Sequence, residues 1–420
     1  MEKDLIETRR FYHKIAEPGW LEFKTTINIM KTLKKIGVSE ILYGKKIHSP
    51  KYMQALPAKE KLKAYASTIE TERDFDISEI LEGFTGAVAI IDTKKSGPSV
   101  GFRFDIDALN IRESEEASHR PKKEKFISEN NFAMHACGHD GHISIGLFLA
   151  EFLEKNKDRL KGKYTIIFQP AEEGLRGAKS MVETGLVDDI DYFFASHIGM
   201  GVENGKICVG TSGFLASTKV DVSFKGVSSH AGALPEAGKN ANLAAASALL
   251  NLHTLPQFST GMARINVGVI RGGSIRNAIS DKAILKMETR GENEKINQSL
   301  LERSRQVIEG AAKQYDLSYQ IKIVGSAPAL IKTEEDFYKK INEILQAKGY
   351  KTYLNGKFKA SEDVIHFINR VESRGGHAIH FIFGTKLAAS HHSNNFDFDE
   401  TCLETGLGVF KECVGYINQL

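Results

Sequence analysis

Between residues 5 and 35 the apolar positions recur with a helical period. The run breaks once, at Glu17-Pro18-Gly19-Trp20, where proline and glycine turn the chain from one helix into the next. Residues 38–85 are more polar and predict one helix with some strand around Ile47. Two short β-rich runs follow, 87–91 and 99–107, the second ending in Asp105 and Asp107, which an extended chain puts on one face. Ile143, Leu147, Ala150 and Leu153, widened by Phe148 and Phe152, then mark a core-facing helix with Asp140 as its N-cap. Residues 163–168, 191–197 and 377–383 read as further strands.

From Gly213 to Leu330 the pattern changes. Residues 218–224 alternate as a half-buried strand, 242–252 form an alanine- and leucine-rich helix, and 263–270 and 283–289 are strands. A long amphipathic helix over 293–315 and a strand over 318–324 complete the order βαββαβ. That is the order of a ferredoxin-like sandwich. It predicts a self-contained α+β domain, residues 213–327, inserted into a larger α/β domain built from residues 1–212 and 328–420.

A chain of 420 residues with 41% hydrophobic content exceeds the length at which single cores stop growing, in keeping with two domains. Lys+Arg 56 against Asp+Glu 53 leaves a formal charge of +3, too balanced to make nucleic acid or an anionic membrane the main partner. Small molecules are the expected partners. The opening Met1-Glu2-Lys3-Asp4 has no apolar signal core, and no apolar run is long enough to span a bilayer, which predicts a soluble protein. Cys137, Cys208, Cys402 and Cys413 are too scattered for a disulfide framework and point to the reducing cytoplasm.

The chemistry concentrates in Met134-His135-Ala136-Cys137-Gly138-His139-Asp140-Gly141-His142, where a thiol, three imidazoles and a carboxylate crowd together. Any one of them is more often structural, but the cluster suits a metal. Cys137 and His139, two apart, leave an extended segment from the same face. In Gln169-Pro170-Ala171-Glu172-Glu173-Gly174 a strand delivers two adjacent carboxylates that point to opposite sides, so one can bind a metal while the other holds a water. His197 ends another strand, and His391-His392 lie in the loop after a fourth. Open α/β sheets bind ligands beyond the carboxyl ends of their strands, where these distant residues can converge. Cys137, His139, Glu173, His197 and one of His391 or His392 make five candidate ligands, more than one catalytic ion takes. Two divalent ions about 3.5–4 Å apart with one shared ligand are therefore expected. Glu172 is left as general base and then general acid, and Asp107 is placed to orient a metal-binding histidine. No Ser-His-Asp or Cys-His nucleophile arrangement is readable, and the basic run 120–125 is expected to be a solvated loop.

Together, His135-Ala136-Cys137-Gly138-His139-Asp140-Gly141-His142, Gln169-Pro170-Ala171-Glu172-Glu173-Gly174, Ser229-His230-Ala231-Gly232 and His392-Ser393-Asn394-Asn395-Phe396-Asp397-Phe398-Asp399-Glu400 resemble the aminoacylase/carboxypeptidase G family of dinuclear metallohydrolases. The likeness is to its amidohydrolase branch, in which a cysteine takes the bridging position, and the matches run from Arg9-Arg10 to Glu400. The resemblance implies a zinc-exopeptidase-like open mixed sheet flanked by helices, with a ferredoxin-like lid inserted. It implies two divalent ions, manganese or zinc, on Cys137, His139, Glu173, His197 and His392, with Glu172 as the catalytic acid/base; the register with Phe396 favours His392 over His391. It further implies that His230 stabilises the developing oxyanion, that Asn277 contacts substrate and that Arg290 is a candidate for the substrate carboxylate. The implied activity is cleavage of the amide bond of an N-acyl or N-aroyl amino acid, releasing an amino acid such as glutamate. Deacetylation of an N-acetyl amino acid or diamino acid would use the same residues. A non-catalytic partner in a heteromeric hydrolase ranks lower, because no ligand position is lost. Lids of such enzymes pair, so the resemblance implies a homodimer, or a heterodimer with a related chain, in which His230 acts in trans.

Overall fold

The computed structural model describes residues 4–70, 72–358 and 360–419. It divides into two compact units, the first Met1–Ser212, Lys332–Phe358 and His366–Leu420, the second Gly213–Ile331 and Lys359–Ile365. The chain crosses between them at 212/213, 331/332, 358/359 and 365/366, where a single insertion would cross only twice. Among the described residues the strands are β1 Glu40–Tyr43, β2 Ala87–Asp92, β3 Ser99–Asp105, β4 Lys163–Gln169, β5 Tyr192–Ile198, β6 Lys206–Val209, β7 Ala216–Lys225, β8 Ala263–Gly272, β9 Lys282–Gly291, β10 Ser318–Ala327, β11 Lys351–Leu354 and β12 His377–Phe383.

In the first unit eight strands form one mixed sheet in the order β1-β2-β4-β3-β5-β12-β6-β11. β4, β3, β5 and β12 are consecutive parallel neighbours at its centre. β2 runs antiparallel to β1 and β4, and β6 runs antiparallel to β12. Both faces are covered, so the central strands are buried almost end to end instead of alternating. On one side Phe102, Phe104, Phe381 and Phe383 all meet Phe410 edge-on at 5.5–6.1 Å between ring centroids; on the other, Phe193 stacks on Phe367 at 5.7 Å. The open mixed sheet flanked by helices is the fold class expected.

The helix His139–Lys155 packs on this sheet and carries the histidine-rich stretch at its start. Its close approach depends on Gly146, where an added Cβ would come within 2.7 Å of Phe104 and 2.8 Å of Phe168. Its cap differs from expectation. Gly138, at φ 101°, turns the chain into the helix, and Asp140 makes no cap. The Asp140 carboxylate instead accepts from Arg9 Nε at 2.7 Å and His13 Nδ1 at 2.8 Å, both on the helix Leu5–Lys14 and all three fully buried. Two smaller expectations also change. Ile47 ends a short 3₁₀ turn, and the nearby strand is the earlier β1, too short to show alternation. Arg120, read as part of a solvated run, is half-buried and donates to Asp397, to Glu400 at 3.1 Å and to the Phe398 carbonyl at 2.7 Å.

In the second unit β10, β7, β9 and β8 lie in that order, antiparallel throughout, which is the strand order of a ferredoxin-like sandwich. Val220, Val222 and Phe224 of β7 point into a core closed by Ala244, Ala248, Leu300 and Ile308 from the helices Ala241–Leu252 and Glu294–Gln314. Asn240 and Asn293 cap these helices through their side chains, each accepting a backbone N–H at 3.0 Å.

Candidate active site

The four strands whose ends carry candidate ligands are the four parallel neighbours, so their carboxyl ends open side by side along one edge of the sheet. β3 supplies Asp105 and, two residues on, Asp107. β4 leads into Glu172 and Glu173, β5 ends at His197-Ile198, and the loop after β12 brings back His391 and His392. The turn into the helix His139–Lys155 adds Cys137 and His139 from above. His392 N–H donates to the Ala136 carbonyl at 2.8 Å, which ties the last loop to the first.

Within this edge, ligand atoms of Cys137, His139 and His197 lie within 4.8 Å of one another, as do those of Cys137, Glu173 and His392, and those of His139, Glu172 and Glu173. The first two groups share Cys137. Ring tautomers follow from partners that can only accept. His139 Nδ1 donates to the Asp107 carbonyl at 2.8 Å and His197 Nδ1 donates to the Ile198 carbonyl at 2.8 Å, which leaves Nε2 as the nitrogen each ring can offer to another group. His197 Nε2 faces Cys137 Sγ at 3.4 Å. His139 Nε2 is buried with no hydrogen-bond partner, a state that costs free energy unless another group engages it. Imidazoles fixed through Nδ1 beside a thiol and a carboxylate make a donor set that fits a divalent metal ion.

The electrostatics agree with a site waiting for positive charge. Burial, then the nearby Glu173 carboxylate, pushes the Cys137 thiol well above its ordinary value. Burial, then His142, drives His197 well below the usual imidazole range. Burial is the largest influence on His139 and opposes its charged form, but Asp105, Asp107 and Cys137 together outweigh it and the ring lies well above that range. For Glu173, burial is outweighed by His392, whose Nε2 lies 3.4 Å from Oε1, together with His139, and the carboxyl falls below its ordinary value.

In the fourth group, Asp105, His139 and His142, the aspartate and His142 are already satisfied from within. His142 Nδ1 donates to Asp105 and its Nε2 accepts the Ile198 N–H at 3.1 Å, while Arg103 Nη1 holds the other Asp105 oxygen at 2.7 Å. It reads as a supporting network. Asp107 does more than the orienting task expected of it. Its carbonyl fixes His139, and its carboxylate accepts the backbone N–H groups of Glu172 and Glu173 at 3.0 Å each. Glu22 takes the preceding Ala171 N–H at 2.8 Å, so three successive amides of the glutamate turn rest on two buried carboxylates. Ala171 there has φ 52°.

The second histidine choice separates by geometry. His391 Nε2 accepts the Met200 N–H at 3.3 Å and its ring packs against His197 at 5.5 Å, while His392, at φ 66°, turns toward Glu173. Cys137, His139, Glu172, Glu173, His197, His392 and Asp107 are thus brought together in the first unit. His230, Asn277 and Arg290 belong to the second. His230 and Asn277 sit on paired segments, with Ala231 N–H donating to the Asn277 carbonyl at 2.9 Å, and both are exposed. Arg290 lies on the open face of the sheet and pairs with Glu288 through Nε at 2.9 Å and Nη2 at 3.2 Å. Sequence reading gave no role to Arg9, Arg103, Asp105 or Glu22, whose partners, apart from the neighbouring Arg103–Asp105 pair, are remote in the chain. His142 had a local signal, three residues after His139 on one helix face, and the two rings stack at 5.4 Å.

The parallel strand ends, the shared cysteine and the paired glutamates define a hydrolase of the metallopeptidase kind. The family model described as Peptidase family M20/M25/M40 matches residues 101–415, so the chain belongs to that family and is a hydrolase of amide bonds. It is 40% identical over 412 residues, 98% of this chain and 97% of the relative, to a p-aminobenzoyl-glutamate hydrolase homolog of Haemophilus influenzae, named for one component of that enzyme. It is 41% identical over 407 residues, 95% of this chain and 92% of the relative, to the indole-3-acetyl-aspartic acid hydrolase of Enterobacter agglomerans. Among solved structures it resembles the aminobenzoyl-glutamate utilization protein from Klebsiella pneumoniae, with a TM-score of 0.81 and 36% identity over 98% of this chain and 94% of that one.

Proposed function

We propose that the chain cleaves the amide bond joining an aromatic acyl group to an acidic amino acid, with p-aminobenzoyl-glutamate as the first substrate to test. The observation that carries this reading is that two relatives at or above 40% identity over nearly the whole chain are named for such conjugates, one of glutamate and one of aspartate. Cys137, His139, Glu173, His197 and His392 would hold two divalent ions, manganese or zinc, with Cys137 shared; the two ligand groups that meet at its sulfur support that assignment. Such a pair supplies a polarised carbonyl and a water acidic enough to ionise near neutral pH.

The rest falls to the chain's own residues. Asp107 and Glu22 hold the amides of residues 171–173 and so fix the turn that presents both carboxylates. Glu172 takes the proton of the attacking water and passes it to the leaving nitrogen. His230 donates to the oxyanion. Its Nδ1 accepts the N–H groups of Gly232 at 3.1 Å and Ala233 at 3.0 Å, which puts the ring proton on Nε2 and leaves that nitrogen free as a donor from an exposed turn. We assign His230 to the site of a paired chain, Asn277 to the substrate beside it, the second unit to a lid and dimerisation role, and the protein to the reducing cytoplasm. In support of the last, the four cysteines are unpaired thiols.

The test is metal analysis of the purified chain together with hydrolysis of aroyl-glutamate, aroyl-aspartate and N-acetyl amino acids. Cys137→Ala should lose bound metal and activity together, and full metal occupancy with ordinary activity would exclude the shared thiolate. Faster turnover of N-acetyl amino acids than of the aroyl conjugates would replace the substrate assignment.

A further inference from the structure

The described arginines of the first unit other than Arg73, Arg159 and Arg176 each have a carboxylate partner, and Arg73 and Arg159 are exposed in water. Arg176 is half-buried and among the described residues has no carboxylate partner. A cation partly withdrawn from water without a counter-charge is costly and asks for an anion. Its position is specific. The glutamate turn closes on itself through Leu175 N–H to Glu172 carbonyl at 2.7 Å and Arg176 N–H to Ala171 carbonyl at 3.1 Å, so Arg176 lies at the end of the loop that presents both carboxylates. Its Nε donates to the Glu173 carbonyl at 2.8 Å. The guanidinium packs close to Gly19, where an added Cβ would come within 2.2 Å of Nη2, and to Gly174, where one would come within 3.1 Å of Nε. Missing side chains at these two positions give the group its bed, and the carbonyl sets its rotation.

We propose that Arg176 determines specificity by pairing with the side-chain carboxylate of the amino acid released from the substrate. The inference rests on the reading that the substrate carries an acidic amino acid. It assigns that preference to a residue of the catalytic loop itself, whereas Arg290 of the second unit is already held by Glu288. The planar fork suits a carboxylate approached through its two Nη groups, since Nε is already engaged.

The experiment compares p-aminobenzoyl-glutamate with p-aminobenzoyl-glutamine, which has the same shape and no side-chain charge. In the wild-type chain the glutamate substrate should have the higher kcat/KM. In Arg176→Gln its kcat/KM should fall between about tenfold and a hundredfold, mostly through KM, and by at least about tenfold more than that of the glutamine substrate. Arg176→Lys should retain part of the preference. The glutamine substrate serves as the control for folding and metal loading. An equal fall on both substrates would make Arg176 a mere tether of the loop, and an unchanged preference would also overturn the proposal. A wild-type chain without preference for the acidic substrate removes the underlying reading before any variant is made, and the assignment of Arg176 with it.

Discussion

In the first unit Arg9, Asp105, Asp140 and His139 are sealed from water, each against several partners, whereas in the second His230 and Asn277 stand on an exposed turn and Arg290 shares an open sheet face with Glu288. The contrast matches the roles proposed for His139 and His230. Metal donors must have their tautomers and lone pairs fixed before an ion arrives, and a dry surround stops water from competing for them. That arrangement is expensive, since each buried charge needs its own partners. Arg9 illustrates it with carboxylates of Asp140 at 2.7 Å, Asp397 at 2.9 Å and Glu400 at 3.1 Å, and the Phe398 ring at 4.4 Å. A donor that must meet a developing charge on a substrate needs access instead, and one local hydrogen-bonded turn is enough to set its tautomer.

The comparison can be broken in several ways. The largest effect is expected from Glu172→Gln, which should slow hydrolysis by about 10²–10⁴ while metal content, read by elemental mass spectrometry, stays at the wild-type level. Loss of metal there would mean that Glu172 and Glu173 have exchanged roles. Next, Arg9→Met leaves buried carboxylates uncompensated and should cost about 3–5 kcal/mol in urea unfolding. The corresponding Arg290→Met on the half-exposed pair of the second unit should cost at most about 1 kcal/mol. Similar losses for the two would erase the distinction between sealed and open charge. His230→Ala should lower kcat by about 10²–10³ with the fold intact. Mixing that chain with Glu172→Gln should restore part of the activity, and mixed dimers that stay inactive would place His230 in the site of its own chain.

The smallest effect concerns pH. His13 is pushed up to about 9 because Asp140 and Glu113 outweigh its burial, and burial raises Glu17 to about 7 and also raises Glu22. All three folded values lie above their unfolded ones, so their stabilisation is complete at low pH and is lost between the unfolded and folded values, from 4.5 to about 7 for Glu17 and from 6.5 to about 9 for His13. In the second unit Glu288 is lowered, held down by Arg290 against its burial, so its contribution is complete above the ordinary carboxylate range and unaffected in that window. Calorimetry should therefore show the first unit's transition moving down between about pH 6 and about pH 9, with the second nearly still. A uniform shift of both would contradict the assignment.

Sequence reading recovered what depends on local periodicity. The helical stripe of Ile143, Leu147 and Leu153, the buried runs of β4, β5 and β12, and the alternation of β7 are all visible in it, and with them the fact that ligand-type residues stand at strand ends. It failed where a long-range partner overrides a local preference. Asp140 looks like a cap because aspartate at a helix start usually is one, but Arg9 and His13 claim its carboxylate, and a left-handed Gly138 does the turning. Arg120 looks solvated for the same reason, since Asp397 and Glu400 lie nearly three hundred residues ahead. The loads on Glu22 and Asp107 are equally hidden, because nothing in a single chain announces which backbone amides a carboxylate will meet.

β12 lies between β5 and β6, yet of the strands in that sheet it is the last to be synthesised. On the ribosome, therefore, β5 keeps one long apolar edge unpaired while the whole second unit and β11 emerge, and β6 has no neighbour to complete its antiparallel bond pattern. Open edges of this kind recruit other chains, so the nascent protein is a natural client for chaperones during that interval. A product of premature termination before residue 377 would be left with that edge for good and without the loop that carries His392. Aggregation and proteolytic clearance, not a partly active enzyme, are the expected fate of such fragments.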